Sequence, residues 1–530
     1  MSAIEERDIV VIGAGFSGLY ALHRFRSRDI LCFEAGAGVG GTWYWNRYPG
    51  ARVDIPSMEY SYSFDEELQQ QWSWPEMFSA QPDLERYVNH VADRFGLRDR
   101  IRLSTRVERM RFDERANRWH VHTDKGDHVV CRYVIAATGA LSAPNAPPWP
   151  GRDRFRGELL HTTEWPRGGV DLKGKRVGQI GTGSTGIQLA PILAEEAAHL
   201  TIFQRTPAYS IPSGNRPMDP DHEREWKENY AERRRFMMQT TGASMARPSD
   251  VASTELDADA QREALEEAWR SQSAFQLLLT FNDILTSKDA NDLVSAFARS
   301  KIREIVKDPA TAERLCPTYP IGAKRLCIDN GYFETFNRDN VSLVDVSAAP
   351  IIGFTEKGLR TSEGEYELDV IVMATGFDAI TGALARIDIE GLGAQTLADK
   401  WAEGPTAWLG LMVAGFPNLL MIHGPLTPGA QAQMLSTGEW QVDFAADLIE
   451  ALERDGLSRI DTTTEAETWW ADEIEAMSRY TLHRLADSWY NAGNIAGKKG
   501  GFMIYVGGFP RFAQLCNEAV GDGFRGFVRR

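Results

Sequence analysis

The residues with the plainest chemical meaning are two glycine clusters, Gly13-Ala14-Gly15-Phe16-Ser17-Gly18 and Gly181-Thr182-Gly183-Ser184-Thr185-Gly186. Each follows a short apolar run (residues 8–12 and 175–180) and opens a helix-like stretch, the second continuing through Ile187 and Gln188. Strand, glycine turn and helix in that order aim the free N–H groups of a helix start at a pyrophosphate, and the glycines clear the space it needs. After the first unit, the strand at 30–33 ends in Glu34, an acid suited to ribose hydroxyls. After the second, the strand at 200–204 runs into Arg205-Thr206, and an arginine there accommodates a 2′-phosphate. The first site therefore reads as FAD and the second as NADP(H); a surface cation is the plain alternative for Arg205.

Two dinucleotides in one chain imply hydride transfer from a nicotinamide to a flavin. The sequence has no C-x-x-C pair to make a disulfide reductase and no H-E-x-x-H or similar metal cluster. The oxidant is then O2, which gives a (hydro)peroxyflavin with reduced flavin. That chemistry belongs to the cofactor, and the protein must position it, desolvate it and stabilise charge. A peroxide anion and a tetrahedral ketone adduct are both anionic, so a permanent cation is required, and arginine serves best because it keeps its proton.

Bulk properties fit an enzyme of this size. The 530 residues correspond to three or four units of about 150 residues each. With 58 basic against 74 acidic residues the net charge is −16, which argues against nucleic acid and anionic membranes as partners. Five scattered cysteines suit a reducing cytoplasm rather than a disulfide framework. No signal segment and no apolar run of about 18 residues is present, so the expectation is a soluble cytoplasmic protein, a monomer or weak homo-oligomer.

The elements that must carry these residues form an α/β fold, with two Rossmann-like dinucleotide-binding domains (FAD and NADP) and a helical insertion. The expected boundaries are 1–150 for the first part of the FAD domain, 151–215 for the first part of the NADP domain, and 216–305 for the insertion. Residues 306–345 complete the NADP domain, and 346–530 complete the FAD domain with a mobile lid at about 488–505. Residues 101–135 alternate like an antiparallel meander that ends in Ala137-Thr138-Gly139, and Ala374-Thr375-Gly376 repeats that ending. The first domain is thus interrupted by the second. Apolar strands are expected at 408–416 and 419–423. Gly41-Thr42-Trp43-Tyr44-Trp45 and Arg52-Val53-Asp54 combine glycine, aromatic and charged residues. They read either as a flavin-facing loop with a carboxylate that steers a cation, or as a loop capped by core aromatics with a surface pair. The segment 488–501, rich in glycine, cation and aromatic residues, reads as a lid or as an ordinary surface loop.

Between the glycine clusters lies Phe155-Arg156-Gly157-Glu158-Leu159-Leu160-His161-Thr162-Thr163-Glu164-Trp165-Pro166. It matches the pattern F-x-G-x-x-x-H-x-x-x-W-P/D of the FAD- and NADPH-dependent Baeyer–Villiger monooxygenases, and the whole chain resembles that family, nearest its phenylacetone and steroid monooxygenase group. The resemblance implies that NADPH reduces FAD, O2 adds to the flavin, and a ketone becomes an ester or lactone. By matching motif it implies Arg325 as the essential arginine and Asp54 as its carboxylate partner. Lys324, Arg205 and Thr206 are implied at the 2′-phosphate, and Trp489 against NADP+. Arg52, Tyr60, Val107 and Met434 join the cofactor sites, and His161 couples domain movement. The pocket is expected from Ile55, Leu141, Gly429, Ala430, Gln431, Gln433, Met434 and Phe502. Gln431 and Gln433 are more polar than that loop usually is, which points to a polar or larger ketone. Two other functions remain open on the sequence: an N- or S-oxygenating flavin monooxygenase and a non-catalytic dinucleotide-binding redox sensor.

Overall fold

A computed structural model describes residues 4–271, 276–495 and 497–530. The chain opens with β1 (Glu5–Ile12), α1 (Phe16–Arg24) and β2 (Ile30–Phe33), then α2 (Gln81–Arg94). Strands β3 (Ile101–Arg102), β4 (Val107–Asp113), β5 (Arg118–Thr123) and β6 (His128–Ala136) complete its first half. The apolar run of β1 serves two cores at once: Ile9 and Val11 pack on one face of the sheet, Val10 and Ile12 on the other. That is what a strand buried on both faces requires.

The second sheet uses β7 (Glu158–His161), β8 (Arg176–Ile180), α3 (Ser184–Glu196), β9 (His199–Gln204), β10 (Val341–Asp345) and β11 (Val370–Met373). Between β9 and β10 lie α4 (Pro220–Glu228), α5 (Tyr230–Met237), α6 (Ala258–Arg270) and α7 (Lys288–Ile305), the expected helical insertion. The chain then returns to the first sheet with β12 (Asp388–Glu390) and β13 (Leu419–Met421), and the long helix α8 (Met434–Arg454) follows.

The first sheet runs β12-β4-β5-β6-β1-β2-β3, with β13 against β6. Strands β6, β1, β2 and β3 are parallel, while β4–β5 and β5–β6 are antiparallel. The expected meander is therefore three strands, because β3 pairs with β2 instead of β4. The second sheet, β10-β9-β8-β11-β7, is wholly parallel.

Two expectations change. Strand β11 pairs with β8 and β7, so the second domain runs on to Met373 rather than ending at 345. The repeated Ala-Thr-Gly explains this: each sheet has its own return strand beside its glycine turn. Gly13 (φ +99°) would place a Cβ 2.6 Å from the Ala137 carbonyl oxygen, and Gly181 (φ +108°) 2.3 Å from that of Ala374. The other change is at 408–416, an expected strand, which turns on itself between Trp408 and Met412.

The insertion is anchored as well as solvated. Arg234 on α5 is buried and donates to the carbonyl oxygens of Glu59 and Ser61 and to Ser61 Oγ.

Candidate active site

Both glycine turns deliver helices without a side-chain cap and without an acid in the first turn, α1 from Gly15 and α3 from Gly183. Their first N–H groups are left for an anionic ligand. Around α1 lies a cavity of about 390 Å³ whose walls include Gly13, Gly15, Glu34, Gly41, Thr42, Trp45, Tyr60, Val107, Leu141 and Met434. Glu34 accepts from the amides of Ala14 (2.8 Å) and Gly36 (2.6 Å), and burial pushes its carboxyl above the usual carboxylate range. A glycine-floored cradle with a buried acid at one end fits the adenosine–pyrophosphate part of FAD.

Other expected cofactor residues stand behind this wall. Gly18 lets α1 pack on the Gly13 carbonyl. Trp43 is buried and donates to Tyr60 Oη (3.1 Å). Arg52 is engaged by Glu76 (2.7 Å) and the Phe78 carbonyl (2.6 Å). Gln188 accepts from Tyr48 Oη (2.9 Å) and donates to the Arg52 carbonyl (3.1 Å), joining α3 to the first domain. Ile187 is core.

Asp54 and Arg325 meet. Arg325 Nη2 donates to Asp54 Oδ2 at 2.7 Å and Nε to the same oxygen at 3.1 Å. Asp54 comes from the first domain's loop, Arg325 from the turn before the short strand Cys327–Asp329. Burial works against the charge on Arg325, but Asp54 outweighs it and holds the guanidinium above its ordinary pKa. The charge of Asp54 also reaches Tyr60 on the cavity wall and Tyr490.

Lys324 and Arg205 form a second cationic pair. Arg205 is exposed and makes no ion pair among the described residues, and Lys324 lies over the Tyr319 ring. Burial first, and Arg205 second, lower the Lys324 pKa. The two cations repel each other, and on Lys324 the charge of Asp487 acts the other way. Thr182 Oγ1 ties that turn to the Thr206 carbonyl (3.0 Å).

The fingerprint is no loose connector. Residues 158–161 are edge strand β7, Trp165 is buried in one core of the second sheet with Val177 and Val370, Phe155 packs against a separate one with Ile180 and Ile371, and Gly157 has Phe155 and the Asp369 carbonyl where a Cβ would go. His161 is buried and lowered in pKa by that burial; Nδ1 meets Thr163 Oγ1 (2.8 Å) and Nε2 meets Thr375 Oγ1 (3.5 Å). Thr163 and Glu164 line the cavity. A neutral, bonded His161 thus links the second sheet's return strand to the first domain's cavity. Pro166 follows in a turn.

Among its described residues, the segment expected as a lid is bonded to the rest of the protein. Trp489–Asn491 form a turn capped by Ser488, with Trp489 against Tyr490 (ring centroids 4.7 Å apart). Asn494 donates to the Phe377 carbonyl (2.8 Å), and Lys498 bonds Asp378 and Thr381. In the pocket loop, Gln433 proves unavailable: it is buried, caps α8 through the Ser436 amide and donates to the Glu59 carbonyl. Gln431 faces His483 (3.3 Å), itself near the Phe502 ring. Ile55 is half-buried, Gly429 starts the turn before Gln431, and the side chain of Ala430 lies outside the described residues. Sequence reasoning missed Tyr490, His483 and His423. The signal for His423 was one polar residue closing an apolar strand just before Gly424-Pro425.

Among the described residues no helix is long and apolar enough to cross a membrane. All five cysteines are buried and free.

Comparison with known proteins gives three concordant results. A family model described as flavin-binding monooxygenase-like matches residues 6–218. A Baeyer–Villiger monooxygenase of Pseudooceanicola batsensis is 41% identical over 532 residues, covering 98% of this chain and 96% of its own. Among solved structures, an oxidised steroid monooxygenase bound to NADP is 47% identical with a TM-score of 0.94, and OTEMO in complex with FAD and NADP is 38% identical with a TM-score of 0.95. Each covers 99% of both chains.

Proposed function

The chain belongs to the flavin-binding monooxygenase-like family, and from that premise we propose that it is a Baeyer–Villiger monooxygenase that uses FAD, NADPH and O2 to convert a ketone into an ester or lactone. The observation that carries the chemistry is the guanidinium of Arg325 held by Asp54, drawn from two parts of the fold. Bound FAD, once reduced by NADPH, supplies activated oxygen.

The protein's own residues do the rest. The uncapped amides of α1 and the acid Glu34 hold the adenosine–pyrophosphate part of the flavin cofactor, and those of α3, with Arg205, Lys324 and Thr206, hold NADPH. Arg325 stays charged through the cycle and offsets negative charge on the oxygen being transferred, while Asp54 fixes the direction of the guanidinium. Trp489 and the segment around it cover the nicotinamide side and exclude water. Gln431 supports a ketone larger or more polar than a simple cycloalkanone.

The test is a ketone panel with NADPH and O2, scored by product mass. The expected result is a product one oxygen heavier than the ketone, with matching NADPH consumption. Oxygenation of amines or sulfides with no ketone converted would establish the N- or S-oxygenating function instead. NADPH consumption indifferent to every substrate would leave a non-catalytic redox sensor.

A further inference from the structure

His423 lies two residues beyond the end of β13, in a left-handed backbone conformation (φ +57°) that a non-glycine residue adopts at a cost. Its ring lines the cavity beside α1, is only 7% exposed, and has no hydrogen-bond partner at either nitrogen. Burial pushes its pKa down to about 4, opposed only by a contact with the Met434 backbone looser than a hydrogen bond, so the ring is neutral with one donor and one acceptor. A buried polar ring left unsatisfied destabilises a fold by about 1–3 kcal/mol. Its surroundings keep it there: the His423 amide donates to Gln441 Oε1 (2.7 Å), and Gly438 inside α8 leaves the space it needs. A Cβ on Gly438 would stand 2.8 Å from His423 Nε2 and 2.8 Å from Ser17 Oγ. Glycine in a helix interior is unfavourable, so this position favours the gap over the helix.

We propose that His423, flanked by Ser17 across the gap at Gly438, hydrogen-bonds the phosphate–ribityl linker of bound FAD. The placement supports that part of the cofactor: Ser17 belongs to the first turn of α1, whose amides face a pyrophosphate, and ribityl hydroxyls lie next along the chain. Both offer the oxygen acceptor that a neutral imidazole N–H needs. The inference rests on the flavoprotein function proposed above.

The test titrates FAD into the deflavinated full-length chain and records flavin fluorescence together with the melting temperature of the deflavinated form. His423→Leu removes an unsatisfied group, so the deflavinated variant is expected to melt no lower than the parent while binding FAD about tenfold more weakly. His423→Gln, which retains a donor and an acceptor, is expected to recover most of that affinity. Competition by ADP separates the two acceptors: an equal loss for ADP assigns the bond to phosphate, an unchanged ADP affinity to ribityl. FAD affinity within twofold of the parent in His423→Leu overturns the proposal, as does a fall in deflavinated melting temperature that His423→Gln repairs without restoring affinity. Should His423→Leu fail to fold, Gly438→Ala decides: it is expected to weaken FAD binding by crowding the ring, and unchanged binding overturns the proposal. If the parent chain itself takes up no FAD, it is the functional reading that fails.

Discussion

Arg325 Nη2 stands 2.7 Å from Asp54 Oδ2 although 271 residues separate them in the chain. The two side chains are 25% and 32% exposed, so the pair is neither a screened surface contact nor a fully buried one. Its geometry, two guanidinium donors on one carboxylate oxygen, fixes the plane of the arginine.

Asp54→Asn keeps the shape of the partner and removes its charge. Ester formation is expected to fall about 10–100-fold while NADPH still bleaches the flavin, a loss of roughly 1.4–2.8 kcal/mol in transition-state stabilisation. An unchanged ester rate would show that Asp54 does not tune Arg325.

Arg205→Ala and Lys324→Ala should each weaken NADPH about 10–100-fold and NADH hardly at all, since only NADPH offers the 2′-phosphate for a charge-assisted bond. Reduction kinetics with the two nucleotides give the ratio. Equal losses for both would remove these residues from the phosphate site.

Gln188→Leu leaves Tyr48 Oη and the Arg52 carbonyl without their bonds at the junction of α3 and the first domain. The expected destabilisation is about 1–3 kcal/mol, seen as a melting temperature lower by a few degrees. No shift would mean that the junction is not held there.

Two buried carboxyls set a pH dependence. Burial pushes Glu59 and Glu439 up to about 7, despite the Met245 amide on one, the Ser63 amide on the other, and Arg234 near both. In the unfolded chain both titrate near about 4.3. The folded state therefore binds their protons more tightly, and this contribution, complete below about pH 4, is lost as pH rises through 7. Glu439→Gln should gain stability relative to the parent as pH goes from 5 to 8, read as a widening difference in melting temperature. A difference independent of pH would contradict the assignment.

Local patterns were legible in the sequence, and long-range pairings were not. The first glycine turn with its strand and helix, and Glu34, follow from short-range spacing, and they stand together in the fold. The family motif joined Asp54 to Arg325, which no periodicity links. Strand β11 looked like a return to the first sheet because its Ala-Thr-Gly ending is chemically the same in both; only pairing with β8 tells them apart. Gln433 read as a pocket residue from its position in the loop that the family resemblance places there. Its amide oxygen instead caps α8, and its amide nitrogen is taken by the Glu59 carbonyl, far away in the chain. His423 was harder to read: one histidine at the end of an apolar run is a weak signal until the cavity around it is known.

The most direct measurement is single-turnover kinetics of Arg325→Ala with a ketone that the parent converts. The account predicts flavin reduction by NADPH at close to the parental rate, with no ester formed when O2 and ketone are added. Ester at the parental yield would contradict it, because the cation on which the oxygen transfer depends would then have to be another residue.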